Sequence, residues 1–241
     1  MAAYTFVLLA GFAAGCLSGV IGTGSSIMLL PVLVHTFGPK QAVPIMAIAA
    51  VMANLARVLA WWREVDWKAV AAYALTGVPA AALGARTLLA LPPYVIEISL
   101  GIFLLAMIPV RHLLARLQWK ARLWHLAVAG AVIGFLTGIV LSTGPLSVPV
   151  FLAYGLAKGA FLATEAASSL FIYISKVLTF REFGALPAEV ILQGLIVGAS
   201  LMAGTFAGKA LVLRMSAAAH GHVLDGLLLI SGLALLATAL T

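Results

Sequence analysis

Apolar runs follow one another along the whole chain, each close to the roughly 20 residues that a helix needs to cross a hydrocarbon core. None shows the period-two alternation of a membrane barrel. That succession leaves one class of fold, an all-α polytopic membrane protein. Composition agrees, since 64% of the 241 residues are hydrophobic and 9% are charged, with a mean hydropathy of +1.17, well outside the range of soluble domains. The longest stretch without a convincing span is Arg111 to Leu123. The chain therefore reads as a single membrane domain, 1–241, whose function must sit within the bilayer. The start, "MAAYTFVLLAGFAAG", has no basic region ahead of its apolar run, so the first helix is expected to stay in place. Cys16 is the one cysteine, which excludes an internal disulfide and a thiolate metal site.

The formal charge of +7 would suggest a nucleic acid partner in a soluble protein. Here it reports topology. Arg111, Arg116, Lys120 and Arg122 crowd the central loop beside His112 and His125, and a short Lys/Arg-rich loop is normally cytoplasmic. Membrane lipid and a small anionic substrate are the expected partners, with no nucleic acid; a homodimer is left open.

That loop, at about 111–123, separates halves of similar length (about 4–111 and 124–241) that resemble each other. "GCLSGVIGTGSSIMLLPVL" from Gly15 aligns with "GFLTGIVLSTGPLSVPVFL" from Gly134, "WWREVDW" from Trp61 with "TFREFGA" from Thr179, and "ALGAR" ending at Arg86 with "FAGK" ending at Lys209. Three matches in one order indicate duplication. Each half reads as a long interrupted segment (Tyr4 to Phe37; Trp124 to Tyr154) and three ordinary spans. The spans are expected at Gln41 to Trp62, Trp67 to Leu89 and Tyr94 to Val110, then at Lys158 to Phe180, Ala188 to Leu213 and His222 to Leu240. If each interrupted segment is a hairpin or re-entrant pair, the repeats are inverted; if it is one kinked helix, they are parallel. The inverted reading is preferred, because the interrupted segments exceed a single span and carry their glycines in the middle.

In hydrocarbon an unpaired backbone group costs several kcal/mol, so helix breaks at membrane depth mark places buried in protein or lining a cavity. After Ser142-Thr143-Gly144 comes Pro145, suited to the first turn of a helix, with Ser142 or Thr143 as its N-cap. The first half offers Gly22-Thr23-Gly24 and then Ser25-Ser26 ahead of "IMLLPVLV". Both halves thus present a helix N-terminus inside the protein, and two such ends facing each other would cradle an anion. The glycines at four-residue spacing (Gly11, Gly15, Gly19; Gly130, Gly134, Gly138) read instead as seams for close helix packing.

With these motifs the chain resembles the TauE/SafE family of membrane permeases, also called the toluene sulfonate uptake permease family. The resemblance rests on two copies of a Gly-x-x-x-Gly-x-x-Gly-x-Gly-like pattern running into a proline, each followed by a loop of the "FGPKQA" or "YGLAKGA" kind, and on "REVDWKA" after the second span. It implies proton-coupled transport of a small, often sulfur-containing anion (sulfite, sulfoacetate or another sulfonate) across a bacterial inner membrane. Ser25-Ser26 replaces part of a longer glycine run, and Leu141 replaces the third glycine of the second motif. Both changes fall where side chains would touch the ligand.

Ionisable residues inside spans are functional candidates by default. Arg57 shares a face with Asn54 and Trp61, and Lys176 shares one with Glu165, Ser169 and Ile172. The expected substrate-binding set is Thr23, Gly24, Ser25, Ser26, Ser142, Thr143, Gly144, Pro145, Asn54, Arg57, Ser169 and Lys176. Snorkelling of Arg57 and Lys176 to the interface is the plain alternative. Glu165 has no basic neighbour one turn away on its own helix; it is the candidate proton-coupling group, and the plain alternative is a glutamate satisfied by a hydroxyl or a lysine from another helix. Arg86 and Lys209 read as interfacial anchors, and Glu97 and Asp225 as helix caps or partners of those bases. The "HGH" of His220 to His222 lacks further ligands at metal spacing. No cofactor or metal is expected, and no nucleotide-binding motif appears, so a gradient must drive transport. An anion channel or uniporter is the alternative, and an intramembrane enzyme a more distant one, since no second acid, base or nucleophile accompanies Glu165 or Cys16.

Overall fold

In the computed structural model, residues 2–21, 25–116, 120–140 and 143–212 are described, with 225–226, 229–230, 232–234 and 236–237 beyond them. Two helices stand where the sequence has its first interrupted segment, α1 (Ala2–Ile21) and α2 (Ser25–Phe37), and two where it has the second, α6 (Leu123–Ile139) and α7 (Gly144–Ala153). The intact helices are α3 (Pro39–Trp61), α4 (Trp67–Ala90), α5 (Pro93–Arg116), α8 (Lys158–Glu182) and α9 (Ala188–Val212). Among the described residues there is no strand. Four helices are long and apolar enough to cross a membrane, at Lys40–Glu64, Trp67–Ala90, Gly159–Glu182 and Ala188–Gly208. The span expected at His222 to Leu240 lies mostly outside the described residues; those described there are helical.

Local chemistry sets the boundaries. Gly38 takes φ 76°, a left-handed conformation that glycine adopts freely, and Pro39 follows at the start of α3. The span therefore opens two residues earlier than Gln41. Asp66 caps α4, its Oδ1 accepting from the backbone N–H groups of Lys68 at 3.0 Å and Ala69 at 3.1 Å. The first turn of α6 is closed by the backbone N–H of Arg122 donating to His125 Nδ1 at 2.9 Å. One boundary needs correction: α5 continues through Arg116 instead of yielding to a loop at Arg111. Between Pro109 and Arg116 the sequence holds only good or neutral helix formers, so nothing there stops the helix.

Packing gives the helix directions. Along α4, Tyr73, Gly77 and Ala81 meet Gly130, Gly134 and Gly138 of α6 in the same order, so these helices run parallel. Along α1, Gly11, Gly15 and Cys16 meet Ser200, Gly204 and Gly208 of α9, again parallel. Ile48 and Met52 of α3 cover Gly194 and Gly198, which makes α3 parallel to α9. By contrast α8 runs against α3, with Glu165 beside Arg57 and Gly159 beside Trp61. Since α1 and α3 point the same way, α2 must return between them.

The glycine seams are tight enough to bring backbones together. A Cβ on Gly134 would lie 2.5 Å from the Gly77 carbonyl oxygen. Large apolar side chains cover the outside, Leu75 at 80% exposure and Leu9 at 65%, which suits a lipid-facing surface. Replacing Gly138 by Ala would set a Cβ 2.5 Å from the Ala81 carbonyl oxygen and 2.6 Å from the Gly84 Cα. It is expected to lower the thermal unfolding midpoint in detergent through an overpacking penalty of about 1–3 kcal/mol. Gly226→Ala, with nothing within 4 Å of the new Cβ, is expected to leave that midpoint unchanged.

Candidate functional site

At the crossing of α3 and α8 the structure buries a full ion pair. Arg57 Nη1 donates to Glu165 Oε2 at 3.0 Å, and the two side chains are 8% and 3% exposed. Arg57 Nη2 donates to Asn54 Oδ1 one turn away, while Asn54 Nδ2 donates to the Ala50 carbonyl at 2.7 Å. Asn54 is thereby locked with its oxygen toward the guanidinium. The other carboxylate oxygen, Glu165 Oε1, accepts from Ser169 Oγ at 2.9 Å and Ser147 Oγ at 3.1 Å. Ser147 stands in the first turn of α7 and also lies 3.1 Å from the Gly144 carbonyl, so its single proton serves one acceptor at a time.

Glu165 is thus a satisfied carboxylate, held by Ser169 of its own helix, by Ser147 of α7 and by an arginine of α3 where the sequence suggested a hydroxyl or a lysine. Snorkelling is likewise overturned for Arg57 and Lys176, at 6% and 0% exposure.

Lys176 occupies a different place from the one its sequence face suggested. Eleven residues beyond Glu165, and so roughly 16 Å along the axis of α8, its Nζ donates to the Thr137 carbonyl at 2.7 Å and lies 5.5 Å from the Phe180 ring centroid. Thr137 is in the last turn of α6, whose final carbonyls lose their intrahelical partners at the break. The Lys176 amino group therefore meets the carbonyl end of that half-helix. The Thr137 hydroxyl pairs with that of Thr143, tying the two sides of the break together.

Thr143 does hold the N-cap position of α7, but its side chain makes no capping bond. Its backbone carbonyl accepts from Leu146 and Ser147 at 2.9 and 3.1 Å, while the hydroxyl is taken by Thr137. Gly144 and Pro145 form the first turn of α7, as the sequence implied. Ser25 and Ser26 open α2, each 7% exposed, and the Ser26 side chain hydrogen-bonds Tyr173 of α8. Thr23, Gly24 and Ser142 lie outside the described residues, as does the "HGH" of His220 to His222.

The amino ends of α7 and α2 therefore touch the same helix at Glu165 and Tyr173, eight residues or about 12 Å apart along its axis. They flank the polar residues of α8 between these two contacts. Ser147 and Tyr173 were not among the residues expected from sequence. A serine one turn past a break is a usable signal; a tyrosine within an apolar span is not. Of the remaining candidates, Arg86 is exposed with its guanidinium 5.2 Å from the Phe183 ring, and Asp225 pairs with His112 at 2.9 Å. Among the described residues no His, Cys, Asp and Glu group could hold a metal.

A family model described as "Sulfite exporter TauE/SafE" matches residues 7–235. The chain belongs to that family. It is therefore a multi-pass membrane protein of a sulfite-exporter-type transporter family. Comparison with curated proteins and with solved structures found no match.

Removing one partner of a buried ion pair strands the other charge, at about 3–5 kcal/mol. Arg57→Met is expected to lower the unfolding midpoint strongly, and Arg57→Met combined with Glu165→Gln to recover a good part of the loss. Thermal unfolding of the two single variants, the double variant and the parent forms the double-mutant cycle that checks this.

Proposed function

We propose that the protein is a secondary transporter for a small, sulfur-containing anion such as sulfite, sulfoacetate or another sulfonate, and that the anion binds at Arg57. The observation that carries this reading is the buried Arg57–Glu165 pair set against the first turn of α7, with the hydroxyls of Ser147 and Ser169 on the same carboxylate. Guanidinium, hydroxyls and a helix N-terminus are together what an oxyanion needs once its water is removed. At present they are all directed at a carboxylate that the protein itself supplies.

An incoming anion competes with Glu165 for these donors. When the anion takes Arg57, Glu165 is left as an unpaired charge in a dry site, which costs several kcal/mol. Binding a proton on the carboxylate removes that charge. Anion and proton are then bound together, and the site alternates between two neutral states, Arg57 with Glu165 and Arg57 with the anion. Lys176 takes a structural part in this scheme, because its amino group is engaged at the end of α6. Asn54 keeps Arg57 aimed, and the starts of α2 and α7 flank the path.

Inverted repeats are the natural frame for such alternation. Supporting them, α6 packs on α4 as α1 packs on α9, and the presumptive equivalents α3 and α8 run antiparallel. With the central basic loop cytoplasmic, a bacterial inner membrane is the fitting location.

Counterflow in proteoliposomes, across sulfite, sulfonates and carboxylates, tests the reading; no uptake of any anion would overturn it. Glu165→Gln keeps the shape of the site without the titrating group. It is expected to retain anion exchange while losing stimulation by an imposed proton gradient. Proton stimulation unchanged in that variant would exclude Glu165 as the coupling group.

A further inference from the structure

Tyr73 lies deep in α4 and is 1% exposed. Its ring packs on Phe151 of α7, with centroids 5.1 Å apart and planes inclined at 42°. Phe151 stands one turn beyond Ser147 on the same face of α7. One turn further along α4, Gly77 meets Ile172 of α8, next to Tyr173. The Tyr73 oxygen is within Coulombic range of the Glu165 carboxylate and of the Tyr173 hydroxyl. Three helices thus enclose this phenol, α7 being the one that carries Ser147 and α8 the one that carries Glu165.

The side chains around the ion pair are engaged with one another: Asn54 with Ala50 and Arg57, Ser147 and Ser169 with Glu165, and Tyr173 with Ser26. The Tyr73 hydroxyl has no hydrogen-bond partner among the described residues. An unbonded hydroxyl adds nothing to packing, and a phenylalanine would fill the same space without it. Packing alone therefore gives no reason for the oxygen, whereas an anion at Arg57 does.

The geometry points to Tyr73 as a specificity-determining ligand that donates to the transported anion and selects sulfur oxyanions over carboxylates. This rests on the transport reading above. The planar guanidinium takes two oxygens side by side, which satisfies a carboxylate completely. A sulfonate or sulfite is pyramidal and carries a third oxygen out of that plane. A donor reaching the site from α4, away from α3, is placed to bond that oxygen, and a carboxylate offers it nothing.

The test is Tyr73→Phe in proteoliposomes, with counterflow of methanesulfonate and acetate measured side by side with the parent. The KM for methanesulfonate is expected to rise about tenfold, the loss of one hydrogen bond to a charged group, while the KM for acetate and both kcat values stay within about twofold. Thermal unfolding supplies a second readout. The variant without ligand should unfold at the same temperature as the parent or higher, and added methanesulfonate should stabilise it less than it stabilises the parent. An unchanged methanesulfonate KM, an equal loss for both substrates, or a lowered unfolding temperature without ligand would each overturn the assignment. If the parent moves no anion at all, the transport reading itself fails; if the parent transports and the variant matches it, only the role of Tyr73 does.

Discussion

The whole arrangement depends on satisfying backbone polar groups where there is no water to do it. Breaking α1–α2 and α6–α7 inside an apolar chain frees carbonyls at one end of each break and N–H groups at the other. Around the second break the protein answers with side chains from a neighbouring helix. Lys176 of α8 donates to the freed carbonyl of Thr137, and Ser147 in the opening turn of α7 bonds the carboxylate of Glu165 on the same helix. One helix thus supplies an amino group to the freed carbonyl end of α6 and a carboxylate to the opening turn of α7. Glu165 in turn requires Arg57, and Arg57 requires Asn54. The buried charges are a consequence of the breaks as much as an addition to them.

The glycine seams do separate work. By letting α6 approach α4 and α1 approach α9 until backbones touch, they make two tightly bound helix pairs with little side-chain freedom at the contact. Between these pairs lie α3 and α8, whose contact holds the ion pair and whose neighbours α2 and α7 carry the broken ends. The two pairs form a closely packed frame around the ion pair, because small residues at the seams let backbones touch.

Much of this was legible in the chain. The breaks fell where glycine, serine and proline interrupt the apolar runs, and helix ends there match the sequence to within a few residues. Arg57, Asn54, Glu165 and Ser169 stood out because polar residues at membrane depth have few other reasons to exist. What could not be read was partnership. Glu165 has no base nearby on its own helix, yet its cation arrives from α3, 108 positions earlier in the chain. Lys176 looked like a partner in the same site because it shares a helical face with Glu165, yet about three turns of α8 separate them. Tyr73 gave no signal at all.

Local pattern determined what this protein is made of: membrane helices, two of them broken, with glycine seams and a handful of charges that a bilayer will not tolerate unpaired. Hydrophobicity, helix period and the demands of glycine and proline act over a few residues, so they are written in order along the chain. Which charge meets which was decided by tertiary structure. Ion pairing acts through space over a few ångströms, and only the crossing of α3 and α8 beside the start of α7 brings Arg57, Glu165 and Ser147 within that distance, with Tyr73 alongside on α4.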